Sequence, residues 1–352
     1  MTRIAVIPGD GVGGEVVDEA VRVLELLSDR DAIDLQLTDW ALGAERYLRD
    51  GVTITEEEFE SLAHDFDAIL LGALGDPRVP DNRHARDILL GLRFRLDLFV
   101  NYRPCVLLDP EVSPLRNVQG REVRIEIFRE NTEGIYGDLG GRFKAGTRDE
   151  IAIQEDLNTW KGVERITRAA FEHARGRGRG RVTLVDKANA MPAAGSLWRR
   201  VFAEVGAGFS ELEQDAVYVD AAAMDFVRRP ERYEVVVASN LFGDILSDLA
   251  AELTGGIGLA PSANFHPGRH ALFEPVHGSA PDIAGAGSVN PMAAIRCAGL
   301  LLEHLGHAAL AQEVEVAVAA AISAGVTTPD LGGDANTKGV GDWICERLSK
   351  GA

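Results

Sequence analysis

Residues 239–248, Ser239-Asn240-Leu241-Phe242-Gly243-Asp244-Ile245-Leu246-Ser247-Asp248, decide how the rest of the chain is read. They follow a strand-like run at 233–238 (Tyr-Glu-Val-Val-Val-Ala) and lead into a helix-like run over 244–253. A strand, a polar turn and a helix in that order are the unit of an α/β fold. Asp244 and Asp248 are four residues apart, so on a helix they project from one face, one turn above the other. Carboxylates that close repel each other unless a cation sits between them. Hard divalent ions such as Mg²⁺ or Mn²⁺ take that oxygen ligation, completed by substrate and water. The plain alternative is a solvated helix start, where aspartates favour the positive end of the dipole. The other segments of the chain weigh against it.

Outward from this stretch, apolar runs suited to buried parallel strands recur at 4–7, 68–71, 182–185 and 235–238. They alternate with helical stretches at 14–28, 193–205 and 244–253, and two further helices are expected at 291–305 and 308–324. The middle differs. Residues 122–129 (Glu-Val-Arg-Ile-Glu-Ile-Phe-Arg) alternate strictly, and the span to 154 is rich in glycine and polar residues. That pattern predicts antiparallel structure, an arm for a partner subunit. The first strand-to-helix loop, Pro8-Gly9-Asp10-Gly11-Val12-Gly13-Gly14-Glu15, is a poor dinucleotide fingerprint. Glu15 and Val16 follow where the third glycine should fall, and no acidic residue ends a second strand about twenty residues on.

A chain of 352 residues has room for two domains with ample core, and its 46% hydrophobic and 26% charged residues suit a soluble globular protein. The formal net charge of −19 argues against nucleic-acid binding, because a phosphate backbone would be repelled. The basic run at 175–181 (Arg-Gly-Arg-Gly-Arg-Gly-Arg) sits between a helical segment and a strand and reads as their connection. Cys105, Cys297 and Cys345 are odd in number and widely spaced, which predicts free thiols in a reducing compartment and no zinc site. The chain opens on strand residues, and no apolar run approaches the roughly 18 residues of a membrane span. A cytoplasmic location without membrane contact is the expectation.

Several residues stand in chemically suggestive settings. Arg93 lies in Leu89-Leu90-Gly91-Leu92-Arg93-Phe94, Arg103 in Asn101-Tyr102-Arg103-Pro104, and Arg129 in Phe128-Arg129-Glu130-Asn131-Thr132-Glu133-Gly134. Guanidinium groups grip carboxylates bidentately, although each alone also reads as a surface charge. Tyr136, among glycines, reads as packing or, beside cations, as an acid–base group of lowered pKa. Lys187 and Asp220 each follow an apolar strand, at the carboxyl end where open α/β sheets bind ligands. The loop Glu274-Pro275-Val276-His277-Gly278-Ser279-Ala280-Pro281-Asp282-Ile283-Ala284-Gly285 is built of small residues that allow close backbone approach to phosphates. Asp282 suits a ribose diol and would repel a 2′-phosphate.

Taken in this order, from 4–11 to 328–333, the segments resemble the β-decarboxylating dehydrogenases, the family of isopropylmalate, isocitrate, homoisocitrate and tartrate dehydrogenases. Residues 240–244 and 277–282 are its most specific motifs. The resemblance implies a two-domain α/β fold distinct from the Rossmann fold. Residues 1–99 with 255–352 would form the nucleotide-binding domain, and 100–254 the substrate, metal and dimerisation domain. It also implies a homodimer with shared active sites, with Lys187 and Asp220 at the positions lent to the partner.

On this resemblance Arg93, Arg103 and Arg129 would hold the carboxylates of a 2-hydroxy diacid, with Asp220 also beside the substrate. Asp244, Asp248 and the Asp220 of a second subunit would hold Mg²⁺ or Mn²⁺. Lys187 would take the hydroxyl proton and Tyr136 would protonate the enol carbon. His277, Gly278, Ser279, Ala280, Pro281, Asp282, Ile283 and Asn290 would bind the cofactor, and Asp282-Ile283 matches members that use NAD. Leu89 and Leu90 stand where isocitrate enzymes place a serine and an asparagine, so an isopropyl side group and 3-isopropylmalate are expected. Tartrate, D-malate, isocitrate or homoisocitrate dehydrogenation, or a catalytically silent regulatory subunit, are the alternatives. Gly14 stands in place of a usual proline and Arg86 in place of a usual glutamate. The 129–134 segment also occurs in tartrate and isocitrate relatives.

Overall fold

The structure, a computed structural model, describes residues 1–351. The chain forms two compact units: residues 1–98, 106–120 and those from 251 onward make the first, and 99–105 with 121–250 the second. The partition expected from sequence differs in detail. It kept 106–120 and 251–254 with the second unit and Phe99 with the first, whereas the two segments fall in the first unit and Phe99 in the second.

In the first unit the strands run in the order Leu35–Asp39, Thr2–Gly9, Ala68–Ala73, Ala271–Pro275, Pro261–Phe265. All neighbours are parallel except the last pair, which is antiparallel. Ala68–Ala73 and Ala271–Pro275 are buried along their whole length, as strands covered on both faces must be. The helices Gly13–Asp31, Met292–His304, Ala308–Ser323 and Thr337–Ser349 pack on and beside this sheet.

In the second unit the order is Val100–Val106, Arg124–Glu130, Val235–Ala238, Arg181–Asp186, Glu213–Tyr218. From Arg124–Glu130 onward the neighbours are parallel. The helix Trp160–Gly176, capped by Thr159 accepting from Gly162 N, packs against the strands and against the helix Pro192–Gly206.

The alternating segment at 122–129 is not half-exposed. Arg124–Glu130 is an interior strand, parallel to Val235–Ala238, with Glu126, Arg129 and Glu130 buried and paired. Glu126 accepts from Arg179 Nε at 2.8 Å and lies 3.4 Å from His173 Nε2, and Tyr102 O–H donates to it at 3.2 Å. A separate antiparallel pair follows, in which Gly140–Phe143 pairs with Ile151–Gln154. Both strands of that hairpin are exposed throughout.

Candidate active site

The helix expected from 244 starts at Asn240 and runs to Leu253. Asn240, Asp244 and Asp248 thus recur once per turn along one face. Ala238 pairs in register with Arg129 on the neighbouring strand, which brings the arginine against the start of that helix. Gly243 makes the approach possible: a Cβ there would stand 2.6 Å from Arg129 Cβ. Arg129 is buried and donates Nε and Nη2 to Asn240 Oδ1 at 2.9 and 2.7 Å, and Nη1 to Asp244 Oδ1 at 2.5 Å. Arg103 enters from its strand with Nη1 3.3 Å from Asp244 Oδ1 and 3.2 Å from Asp248 Oδ1, and also donates to Ser247 Oγ at 2.7 Å. Tyr136 donates its O–H to Asp244 Oδ2 at 2.9 Å.

A cation does stand between the two carboxylates here, and it is the guanidinium of Arg103. Asp248 is still raised above the usual aspartate range: burial pushes it up, and Asp244 adds to that against the pull of Arg103. Tyr136 is also raised, by burial and then by the charge of Asp244. The lowered value expected beside cations is not found, because the phenol donates to a carboxylate and the arginines only offset part of that effect. A phenol so placed stays protonated and is suited to act as an acid.

Asp244 and Asp248 offer only oxygen ligands one turn apart, a set that fits Mg²⁺ or Mn²⁺ and not a soft metal. Among the described residues no three His, Cys, Asp or Glu side chains gather as a metal site. Within one chain, Asp220 instead pairs with Lys187, Nζ to Oδ1 at 2.7 Å, and that contact holds its carboxyl below the usual range. Both residues lie just past the carboxyl ends of neighbouring strands, where Asp186 and Tyr218 are in register. Buried Asp186 takes the fork of Arg199 at 2.6 and 3.0 Å, and Arg199 in turn lies over the Tyr218 ring.

The first unit holds the remaining residues. A π-helical turn, Arg86–Leu90, leads into the short helix Gly91–Arg95. It presents Leu89 partly against the core and Leu90 partly buried. Arg93 is buried and donates Nη2 to Glu274 Oε1 at 2.6 Å, and Asn264 donates to the same oxygen at 2.8 Å. The Nε atoms of Arg93 and Arg103 are both buried without a hydrogen-bond partner. Buried donors of that kind fit an anion with oxygens to spare.

The loop over 277–283 is braced by the very loop that failed as a fingerprint. Val12 N donates to Ser279 O at 2.9 Å, and a Cβ on Gly11, which has φ +57°, would sit 2.0 Å from that oxygen. Glu15, standing where a third glycine was missing, accepts from Gly285 N at 2.6 Å and Gly287 N at 3.0 Å. Gly278, Ala280, Pro281, Asp282 and Ile283 lie on the braced loop, and Asp282 is exposed there. His277 contacts Gly278 O through Nδ1, its Nε2 is buried without a partner, and burial lowers its pKa. That unpaired atom and the exposed carboxylate of Asp282 fit a nucleotide. Asn290 is engaged within the fold, donating to Asp330 Oδ2 and accepting from Met292 N, both at 3.0 Å.

Residues 3–344 match the sequence profile of the family described as Isocitrate/isopropylmalate dehydrogenase. The chain belongs to the isocitrate/isopropylmalate dehydrogenase family. It is 48% identical to the 3-isopropylmalate dehydrogenase of Corynebacterium jeikeium, covering 98% of this chain and 99% of that one. The corresponding protein of Thermobifida fusca is 45% identical, over 99% of this chain and 98% of its own. The crystal structure of isocitrate dehydrogenase from Methylococcus capsulatus superposes with a TM-score of 0.89 at 36% identity, covering 99% of this chain and 100% of that one.

Sequence reasoning about this family member passed over Asn240, Gly243 and the pair Asp186–Arg199. It also missed Asp10, whose carboxylate accepts from Ala44 N at 2.6 Å and Gly75 N at 2.8 Å and meets His84 Nε2 at 2.7 Å. Position in the motif was the available signal for Asn240 and Gly243. Arg199 and His84 carried none, since nothing local to either names its partner. Among the described residues no helix is long and apolar enough to cross a membrane.

Proposed function

We propose that the chain oxidises and decarboxylates 3-isopropylmalate to 2-oxoisocaproate, through 2-oxo-3-isopropylsuccinate, with reduction of NAD, a step of leucine biosynthesis. The arrangement that carries this reading is the cluster in which Arg103 and Arg129 share a helix face with Asp244 and Asp248 while Tyr136 is held protonated on Asp244. The relatives named 3-isopropylmalate dehydrogenase favour the substrate.

Arg103 and Arg129, with Arg93 as the third cation, bind and orient the two carboxylates of the substrate; their buried forks leave little freedom once an anion is in place. Lys187 takes the proton of the substrate hydroxyl on its unprotonated amine, and Asp220, 2.7 Å from that nitrogen, holds the ammonium so formed. Tyr136 hands a proton to the carbon that CO₂ leaves. Leu89 and Leu90 form an apolar wall for the isopropyl group. His277, Asp282 and the braced loop would hold NAD, which would supply a hydride acceptor, and Asp244 and Asp248 would hold a divalent cation, which would supply positive charge at the substrate's hydroxyl oxygen. Lys187 and Asp220 serve the site of a second copy in a homodimer. Exposed apolar side chains support such a partner: Phe143 and Ile151 on the hairpin and Met224 on the helix Val219–Arg228 are all more than half exposed, at 57%, 53% and 58%.

The test is the specificity constant for 3-isopropylmalate, isocitrate, homoisocitrate, tartrate and D-malate, each with NAD and with Mn²⁺ or Mg²⁺. The highest value is expected for 3-isopropylmalate. Faster turnover of tartrate or D-malate would move the substrate assignment to the smaller diacids and leave the family membership untouched. No metal-dependent NAD reduction with any of the five would favour a regulatory subunit.

A further inference from the structure

We infer that Asn240 is a positioning residue of this site, its side-chain amide fixing the guanidinium of Arg129 with one end and the loop that carries Tyr136 with the other. The inference rests on the reading above for what Arg129 and Tyr136 do. Asn240 is 2% exposed, at the first turn of the helix that bears Asp244. Its Oδ1 accepts two donors of Arg129, Nε at 2.9 Å and Nη2 at 2.7 Å, which sets the plane of the guanidinium and turns Nη1 toward Asp244. Its Nδ2 donates to Glu133 O at 2.9 Å.

The segment so held is a tight one. Glu130 accepts from Thr132 N, Thr132 Oγ and Glu133 N, while the Glu133 carboxylate accepts from Thr159 N at the cap of the next helix. Gly134 then turns at φ +80°, with the position of its missing Cβ only 3.1 Å from Asn240 Cβ, and Tyr136 follows two residues later.

An amide is the side chain this place demands. It must show an acceptor to a cation and a donor to a carbonyl from one planar group. The reverse orientation would set its NH₂ against the guanidinium and its oxygen against Glu133 O, so the partners fix the flip. Aspartate keeps the acceptor and loses the donor. Alanine loses both.

The two substitutions therefore separate the two ends. In Asn240→Ala the KM for the wild type's best 2-hydroxy diacid should rise about tenfold, as expected for a lost charge-assisted contact. The kcat should fall with it, while the KM for NAD stays within about twofold because that loop belongs to the other unit. Asn240→Asp should show the smaller KM rise and a similar fall in kcat. In both variants, amide hydrogen exchange across 131–137 should quicken relative to the wild type. Unchanged exchange there, or KM values for diacid and NAD rising in step, would overturn the assignment. Should the alanine variant fail to fold, the near-isosteric aspartate variant decides alone. A wild type inactive on every diacid would sink the activity reading, and the exchange measurement would still test the positioning.

Discussion

Arg129, Arg103 and the phenol of Tyr136 all compete for the two oxygens of Asp244. Removing its charge should be felt by all of them. The substitution Asp244→Asn should lower turnover by a factor on the order of a hundred and weaken Mn²⁺ binding, read by steady-state kinetics and by the loss of free-ion electron paramagnetic resonance signal on titration. Full activity with unchanged Mn²⁺ affinity would take Asp244 out of the ion's site. On the loop proposed to hold the cofactor, Asp282 is exposed, and a 2′-phosphate bound there would meet its carboxylate. Asp282→Lys should lower the NAD-to-NADP ratio of kcat/KM at least about tenfold. An unaltered ratio would mean the ribose is recognised elsewhere. At this scale the sequence displayed what depends on local register, the fourfold spacing of Asp244 and Asp248. It hid what depends on distant partners: Arg129 and Asn240 are 111 residues apart, and Arg103 and Asp248 145 apart.

Among the elements, the strand Arg124–Glu130 shows how periodicity misleads. Alternating charged and apolar residues are the mark of a half-wet strand, but here Glu126 is buried and held by Arg179, His173 and Tyr102. Burial alone would raise the Glu126 carboxyl; the contacts with His173 and Arg179 outweigh it and bring the group down to about 2 from the ordinary 4.5. The folded-state value lies below the unfolded one, so this stabilisation is complete above about pH 4.5 and is lost as pH falls toward 2. It is worth on the order of 3 kcal/mol. Urea denaturation between about pH 6 and pH 3 should show the wild type losing stability more steeply than Glu126→Gln. Parallel acid limbs would mean that Glu126 is not what the fold loses first. The first loop was legible in part: its glycines and Glu15 are visible, but their service as a brace for another loop needs contacts spanning 270 and 272 residues.

For the molecule as a whole, composition and strand–helix alternation were enough for the fold class, and the motifs for the family. The return of 106–120 to the first unit was not legible, since no change of composition marks the crossing. The proposed sharing of sites makes a prediction that single chains cannot satisfy. Lys187→Met and Asp244→Asn should each be nearly inactive alone. Unfolded together and refolded as a mixture, they should regain about a quarter of wild-type activity, because half the dimers are mixed and each holds one intact site. No recovery, with mixed dimers demonstrated by mass, would mean that each chain supplies its own lysine.

The hairpin of Gly140–Phe143 and Ile151–Gln154 adds a kinetic corollary. It leaves two short unprotected edges and apolar side chains in water. In the proposed homodimer, a newly made protomer carries that surface until it meets its twin, so pairing races against clumping. Dilution should then do what denaturant does: well below the dissociation constant, total catalytic output falls with the square of the chain concentration, as a two-body encounter requires.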